Sequence, residues 1–152
     1  ALAQTVADAK KQKNGKPHFT YLHLNIPHDP YLCDSLGNRV DVSVAAKYTT
    51  VQRQDAYLQY LVYGNKIILQ WVNEIQAATK SKAVIMIMSD HGVRPFNDQS
   101  QVRRRVDNLN AIYLPNKNYS QWYKGVSNVN QFRLLLNELF HQQLPLLPDK
   151  DF

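Results

Sequence analysis

The stretch that decides the fold is Ala83-Val84-Ile85-Met86-Ile87-Met88-Ser89-Asp90-His91-Gly92. Its six apolar residues in a row predict a strand covered on both faces, as in the middle of a parallel sheet. Polar residues follow only at the C-terminal end, which is where ligands bind in open α/β sheets, and Gly92 allows a sharp turn there. Asp90 and His91 are therefore candidate ligands of a divalent metal ion. The structural alternative is a turn aspartate beside an ordinary surface histidine.

A second segment, residues 18–25, is rich in aromatic and β-favouring residues and predicts another strand. It leads into Ile26-Pro27-His28-Asp29-Pro30-Tyr31, where two prolines fix the backbone around His28. His23 lies near the end of the predicted strand and His28 just beyond it. We therefore expect two strands to present histidines at one edge of a sheet, together with the Asp90–His91 pair.

A long amphipathic helix is predicted between these two strands, from about residue 50 to residue 79. Thr49 and Gln52 form a capping-box pattern at its start. An apolar stripe with a period near 3.6 follows, made of Leu58, Leu61, Val62, Ile68, Leu69, Val72 and Ile75. Gly64-Asn65 interrupts the stripe, which indicates a bend or a tight packing contact. Strand, helix and strand would form a right-handed crossover unit.

The remaining segments complete an α/β pattern. We expect a short helix before Gly15, a surface loop over residues 32–48, and a polar loop over residues 94–108. A third strand is predicted at residues 110–115, followed by a helix from about residue 126 and an extended arm at residues 144–148. The fold class is α/β, with a mostly parallel sheet flanked by helices.

The composition limits the number of domains. With 152 residues, 44% of them hydrophobic, the chain is long enough to bury one core and too short for two full domains. We therefore expect residues 1–152 to form a single domain. No run of about 18 apolar residues occurs, so no membrane span is predicted. The single cysteine, Cys33, has no partner for an internal disulfide.

Several motifs together resemble the alkaline phosphatase superfamily, in the branch of sulfatases, phosphoethanolamine transferases and lipoteichoic-acid-type phosphoglycerol transferases. Leu22-His23 followed by Pro27-His28-Asp29-Pro30-Tyr31 resembles the histidine loop of that family. Ser89-Asp90-His91-Gly92 is similar to its second metal-binding motif. The helix between them carries matching positions at Tyr63, Asn65 and Ile67. The motifs keep the family's order over roughly residues 17–140, which implies a sulfatase-like α/β/α sandwich.

The resemblance assigns roles to four residues. It implies that Asp90 and His91 bind a divalent metal ion, with zinc or manganese first and calcium as a further option. It implies that His28 contacts the transferred phosphoryl or sulfuryl group or a second metal, with His23 as a companion. The substrate would be a phosphate or sulfate ester. A divalent cation activates a hydroxyl nucleophile and neutralises the oxyanion, while a histidine donates a hydrogen bond to a substrate oxygen.

The chain departs from the family pattern in its nucleophile. In the family, a Thr, Ser or formylglycine lies upstream of both motifs, together with a first acidic metal ligand. Thr20, Thr49 and Thr50 stand in the wrong place, and Cys33 lacks the Cys-x-Pro-x-Arg setting of sulfatases. We therefore expect the C-terminal half of a larger catalytic domain, whose partner is the missing N-terminal half. The family also implies an extracytoplasmic parent protein, with a membrane involved only as its tether.

The charge distribution supports a second hypothesis. The formal charge is +6, and the basic residues cluster at only two places: Lys10, Lys11 and Lys13, and Arg103, Arg104 and Arg105. Arg94 or one residue of the arginine cluster would suit an anionic head group, although a solvated basic loop is the simpler reading. The alternative function is therefore a non-catalytic binding domain for an anionic partner. No aromatic-basic interleaving or nucleic-acid motif is present, so nucleic acid is not an expected partner.

Overall fold

The computed structural model describes Gln4 and residues 6–8, 17–93 and 107–149. Contacts divide the chain into two compact units, Ala1–Ala83 and Val84–Phe152. Gln4 and residues 6–8 are helical, as expected, and the rest of the predicted N-terminal helix lies outside the described residues. Within the described ranges, no helix has the length and apolar character that crossing a membrane requires. The single-domain expectation stays a prediction.

The first unit is built on one long helix. A short helix α1, Val42–Ala45, begins after Asp41, whose carboxylate accepts from Ser43 N at 2.8 Å. Helix α2 then runs over Thr50–Thr79 and ends at Lys80, which has a left-handed conformation with φ 51°. The predicted capping box is present, because Gln52 N donates to Thr49 Oγ1 at 3.3 Å and Thr49 N donates to Gln52 Oε1 at 2.9 Å. The predicted helix and its start are thus confirmed.

Aromatic packing joins the proline loop to helix α2. Tyr31 is buried, and its ring lies edge-on to Tyr57 at a centroid distance of 6.0 Å and to Tyr60 at 6.3 Å. Gly64 of the helix packs against Ile26, so the tight contact predicted at this glycine is confirmed. The loop that turns at Gly37, whose positive φ of 90° suits glycine, is bonded to the same helix, because Ser35 N donates to Gln59 Oε1 at 3.2 Å. The proline loop therefore has a fixed place on α2.

The strand predicted at residues 18–25 is wrong. These residues are in the described part of the chain and form no strand there. Phe19 and Tyr21 leave 82% and 74% of their surface exposed. The aromatic and β-branched pattern indicates a preference for a half-buried pleated surface, and without a neighbouring strand the preference alone does not make a strand.

The described residues of the second unit form two strands and one helix. Strand β1, Ile85–Met88, pairs with strand β2, Asn110–Tyr113, and Met88 lies opposite Asn110. The pairing is antiparallel, so the prediction of a mostly parallel sheet is wrong for the described residues. The predicted right-handed crossover is wrong as well, because its first strand, at residues 18–25, does not form. A continuous apolar run indicates burial on both faces, and burial alone does not set the direction of the neighbouring strand. The positions of the second and third predicted strands are confirmed.

Helix α3, Asn128–Phe140, completes the second unit and holds an extended arm. Ser127 caps the helix by accepting from Asn130 N at 3.2 Å. The fully buried Asn130 side chain accepts from Leu147 N at 2.9 Å and donates to Leu147 O at 2.7 Å. Two turns later, Asn137 makes the same pair of bonds with Leu144. Side-chain amides of α3 thus replace a strand partner for the arm.

Replacing Gly64 with Ala tests the packing of the first unit. Alanine would favour an isolated helix by about 1 kcal/mol. Here the added Cβ meets Ile26 Cγ2, which belongs to a stiff β-branched side chain. Since overpacking costs about 1–3 kcal/mol, we expect Gly64→Ala to lower the free energy of unfolding in a urea titration followed by circular dichroism. The same substitution in an Ile26→Ala background should be neutral or stabilising. A stabilising effect of Gly64→Ala alone would contradict the contact.

Asp149 makes the second unit sensitive to acid. Hydrogen bonds from Ser127, Tyr123 and Asn130 hold the pKa of its carboxyl below the usual value. A lowered pKa in the folded chain means that the carboxylate stabilises the fold above the unfolded pKa, and that this contribution is lost as pH falls through the folded pKa. We expect unfolding titrations between about pH 5 and pH 2 to show a steeper loss of stability in the wild type than in Asp149→Asn. Parallel curves would refute this role of the carboxylate.

Candidate functional site

The Asp90–His91 pair lies where the sequence predicts it, directly after strand β1. His91 N donates to Asp90 Oδ1 at 3.0 Å. His91 Nδ1 lies 2.6 Å from Gly92 O and must donate, because a carbonyl oxygen only accepts. The other ring nitrogen, Nε2, lies 3.7 Å from Asp90 Oδ2. The Asp90 side chain is 88% exposed and that of His91 38%. The two side chains therefore present an oxygen and a nitrogen to the same small region.

Ser89, the residue before this pair, forms hydrogen bonds through its backbone N, its backbone O and its hydroxyl oxygen. Its N donates to Leu109 O at 3.0 Å, and its Oγ accepts from Leu109 N at 2.8 Å. Its carbonyl oxygen accepts from Asn128 Nδ2 at 2.8 Å and from Asn108 Nδ2 at 3.2 Å. The end of strand β1 is thus fixed both to the start of β2 and to the first residue of α3.

The pair fits a zinc or manganese ion as part of a ligand set. Both ions accept imidazole nitrogen and carboxylate oxygen. The bond from His91 Nδ1 to Gly92 O matches the outer hydrogen bond that a metal-bound histidine usually makes. Over the described ranges, however, no three His, Cys, Asp or Glu residues are grouped so that they could hold an ion. Asp90 and His91 could therefore supply only two ligands, and a pair of ligands binds an ion weakly by itself.

His23 and His28 lie in the first unit and are exposed. His28 Nδ1 is hydrogen-bonded to Asp29 O, so the ring is held against its own loop. The ring of His23 lies beside that of Tyr21, with a centroid distance of 6.3 Å and an angle of 50° between the ring planes. The hydrogen bond restricts the rotation of the His28 ring. His28 is therefore better suited than His23 to contact a ligand in one defined orientation.

A cavity of about 290 Å³ is lined in part by Asp29, the residue that follows His28. Its lining joins two charges of opposite sign to aromatic and aliphatic groups: Asp29, Pro30, Tyr31, Val42, Ala45, Ala46, Tyr48 and Arg53. Burial raises the pKa of Tyr31, and the Asp29 carboxylate raises it further, while Arg53 acts in the opposite direction. Both charges therefore act on the hydroxyl of Tyr31.

Sequence reasoning missed Arg53, Asn108 and Asn128. Arg53 has no local signal beyond its place in the first turns of α2. The helix start at Asn128 is readable from the sequence, but its bond to Ser89 spans 39 residues and has no local pattern. Arg94 and the arginine cluster at residues 103–105, which were candidates for positive charge, lie outside the described residues.

Comparison with known proteins identifies one relationship. The family model described as Sulfatase matches residues 1–133, which include both histidine positions of the proline segment and the Asp90–His91 pair. Comparisons with curated proteins and with solved structures returned no match.

Proposed function

Since this chain belongs to the sulfatase family of the alkaline phosphatase superfamily, we propose that it forms part of a metal-dependent hydrolase or transferase acting on phosphate or sulfate esters. The family implies an α/β/α fold, of which the described residues show two antiparallel strands and the helices. One observation carries the proposal: the Asp90 carboxylate and the His91 imidazole stand together at the end of a strand, with Nδ1 of the ring bonded to a carbonyl.

Asp90 and His91 would hold the ion. With Nδ1 donating to Gly92 O, neutral His91 has its metal-binding lone pair on Nε2, on the side of the ring that faces Asp90. When bound, the ion supplies the positive charge that activates a hydroxyl nucleophile and neutralises the developing oxyanion. The exposure of the Asp90 carboxylate keeps the pair accessible to an ion from solvent.

His28 would act on the transferred group. In its protonated form the ring donates Nδ1–H to Asp29 O and keeps Nε2–H for a nonbridging or leaving oxygen of the ester. The Asp29 carbonyl thus orients the ring, so that the donor has a defined direction. His23, whose ring lies beside that of Tyr21, would assist in binding and not in proton transfer.

Arg53 would add positive charge on the substrate side of the His28 loop. Arg53 lines the cavity at this loop, together with Tyr31 and Tyr48. A guanidinium forms paired hydrogen bonds with phosphate or sulfate oxygens. This residue takes the place of the arginines between residues 94 and 105 that the sequence offered for the same task.

The nucleophile would come from residues outside this sequence. The hydroxyl of Thr49 is not a suitable nucleophile, because its Oγ1 accepts from Gln52 N and caps helix α2. We also propose that the complete protein is extracytoplasmic and membrane-tethered, which rests on the family resemblance.

The test is ester hydrolysis by the complete catalytic domain, measured with matched chromogenic phosphate and sulfate esters. We expect turnover of one ester class, and we expect His28→Ala to lower kcat about 10²- to 10⁴-fold because a hydrogen-bond donor to the reacting group is lost. Arg53→Ala should mainly raise KM. His18→Ala is the matched control, since His18 is exposed in the same segment and has no proposed role.

Two outcomes would contradict the proposal. Full activity of His28→Ala would remove this residue from the mechanism. Absence of hydrolysis and transfer with both ester classes, at saturating zinc or manganese, would refute the enzymatic function and favour the anionic-partner hypothesis. The two basic clusters of that hypothesis lie outside the described residues, so it stays a prediction.

A further inference from the structure

The carbonyl oxygen of Ser89 accepts two side-chain amides that come from distant parts of the second unit. Asn128 Nδ2 donates at 2.8 Å from the first residue of α3, and Asn108 Nδ2 donates at 3.2 Å from the segment before β2. This carbonyl belongs to the peptide that carries the backbone N–H of Asp90. Because a peptide group is planar, fixing its oxygen also fixes the direction in which the Asp90 backbone leaves the strand.

The two bonds therefore act on the Asp90–His91 pair through a short and stiff connection. Beyond the fixed peptide, His91 N is bonded to Asp90 Oδ1 and His91 Nδ1 to Gly92 O. These local bonds orient the two side chains relative to their own backbone. They do not orient that backbone relative to the sheet and α3. The amide bonds to Ser89 O supply this second constraint.

Asn128 has the firmer support of the two amides. It opens α3 directly after the cap residue Ser127, whose Oγ accepts from Asn130 N and whose N donates to Asp149 Oδ1 at 3.1 Å. The amide is thus carried by a helix end that is itself fixed.

The other end of the Asn128 side chain argues against a purely stabilising role. Its Oδ1 is buried without a hydrogen-bond partner among the described residues. Burying an unpaired amide oxygen costs free energy, and an apolar residue of similar size would avoid this cost. What an apolar residue cannot supply is the N–H that reaches Ser89 O.

We propose that Asn128, assisted by Asn108, is a positioning residue that holds Asp90 and His91 in the geometry of metal ligands. The inference rests on the proposed function, because it assigns these asparagines to the same metal-binding pair. Neither asparagine touches the ion or the substrate. They act through the Ser89 peptide. Hydrogen bonds made directly to ligand side chains typically contribute 10- to 100-fold to metal affinity, and since these amides act one residue away, we expect an effect at the lower end of that range.

The experiment is a Mn²⁺ titration of the full chain, followed by paramagnetic broadening of the His91 ring signals in NMR. We expect Asn128→Ala to weaken the apparent affinity about tenfold and the Asn108→Ala, Asn128→Ala double variant further. Asn137→Ala is the matched control, because it removes two amide bonds from the same helix, to Leu144, without touching Ser89. This control should bind Mn²⁺ as the wild type does.

Asn128→Asp keeps the shape of the side chain and removes the donor, and an acidic residue in the first turn of a helix is favourable for folding. Asn128→Asp is used in place of Asn128→Ala if the alanine variant does not fold. Weaker binding in this variant, despite the added negative charge, supports the proposal, and equal or tighter binding overturns it.

An Asp90→Ala variant distinguishes the metal-binding role of Asp90 and His91 from the positioning role of Asn128. If Asp90→Ala abolishes the broadening and Asn128→Ala leaves it unchanged, the positioning role is overturned and the metal pair stands. If Asp90→Ala binds Mn²⁺ like the wild type, the proposed metal pair itself fails. Equal loss in Asn128→Ala and in the Asn137→Ala control would also overturn the inference, because general destabilisation would then explain both.

Discussion

The second unit depends on the hydrogen bonds that converge on Ser89. Its backbone N and its hydroxyl pair with Leu109, and its carbonyl oxygen accepts from Asn108 and Asn128. Each such bond contributes only about 0.5–1.5 kcal/mol net. Their common position matters more than their sum, because the strand pair, the start of α3 and the Asp90–His91 pair all meet at this one residue. At Ser89, where the apolar residues of β1 give way to polar ones, the chain therefore leaves the sheet in a defined direction.

The elements that local patterns specify could be predicted from the sequence. The capping box at Thr49 and the apolar stripe beyond it locate α2, and Ser127 before an amphipathic run locates α3. The apolar residues before Asp90 locate β1. In each case the sequence signal lies within a few residues of the element it predicts. The tertiary contacts of these elements favour the same conformation as the local sequence.

What depends on pairing between distant segments could not be predicted in the same way. Residues 18–25 have the composition of a strand but pair with no strand among the described residues, and they form no regular secondary structure. The apolar run of β1 predicts burial, but the antiparallel direction of β2 has no signal within either strand. The candidate site divides likewise: Asp90 and His91 are adjacent and readable, whereas the bond from Asn128 to Ser89 has no sequence signature.

The central claim is that Asp90 and His91 are metal ligands, and anomalous X-ray scattering tests it most directly. Crystals grown with Mn²⁺ or Zn²⁺ would be measured on both sides of the absorption edge of the metal. If the pair binds the ion, an anomalous peak will lie about 2.0–2.2 Å from an Asp90 carboxylate oxygen and from His91 Nε2. At saturating metal, a map with no peak at this pair, or with ions bound only to other side chains, would contradict it.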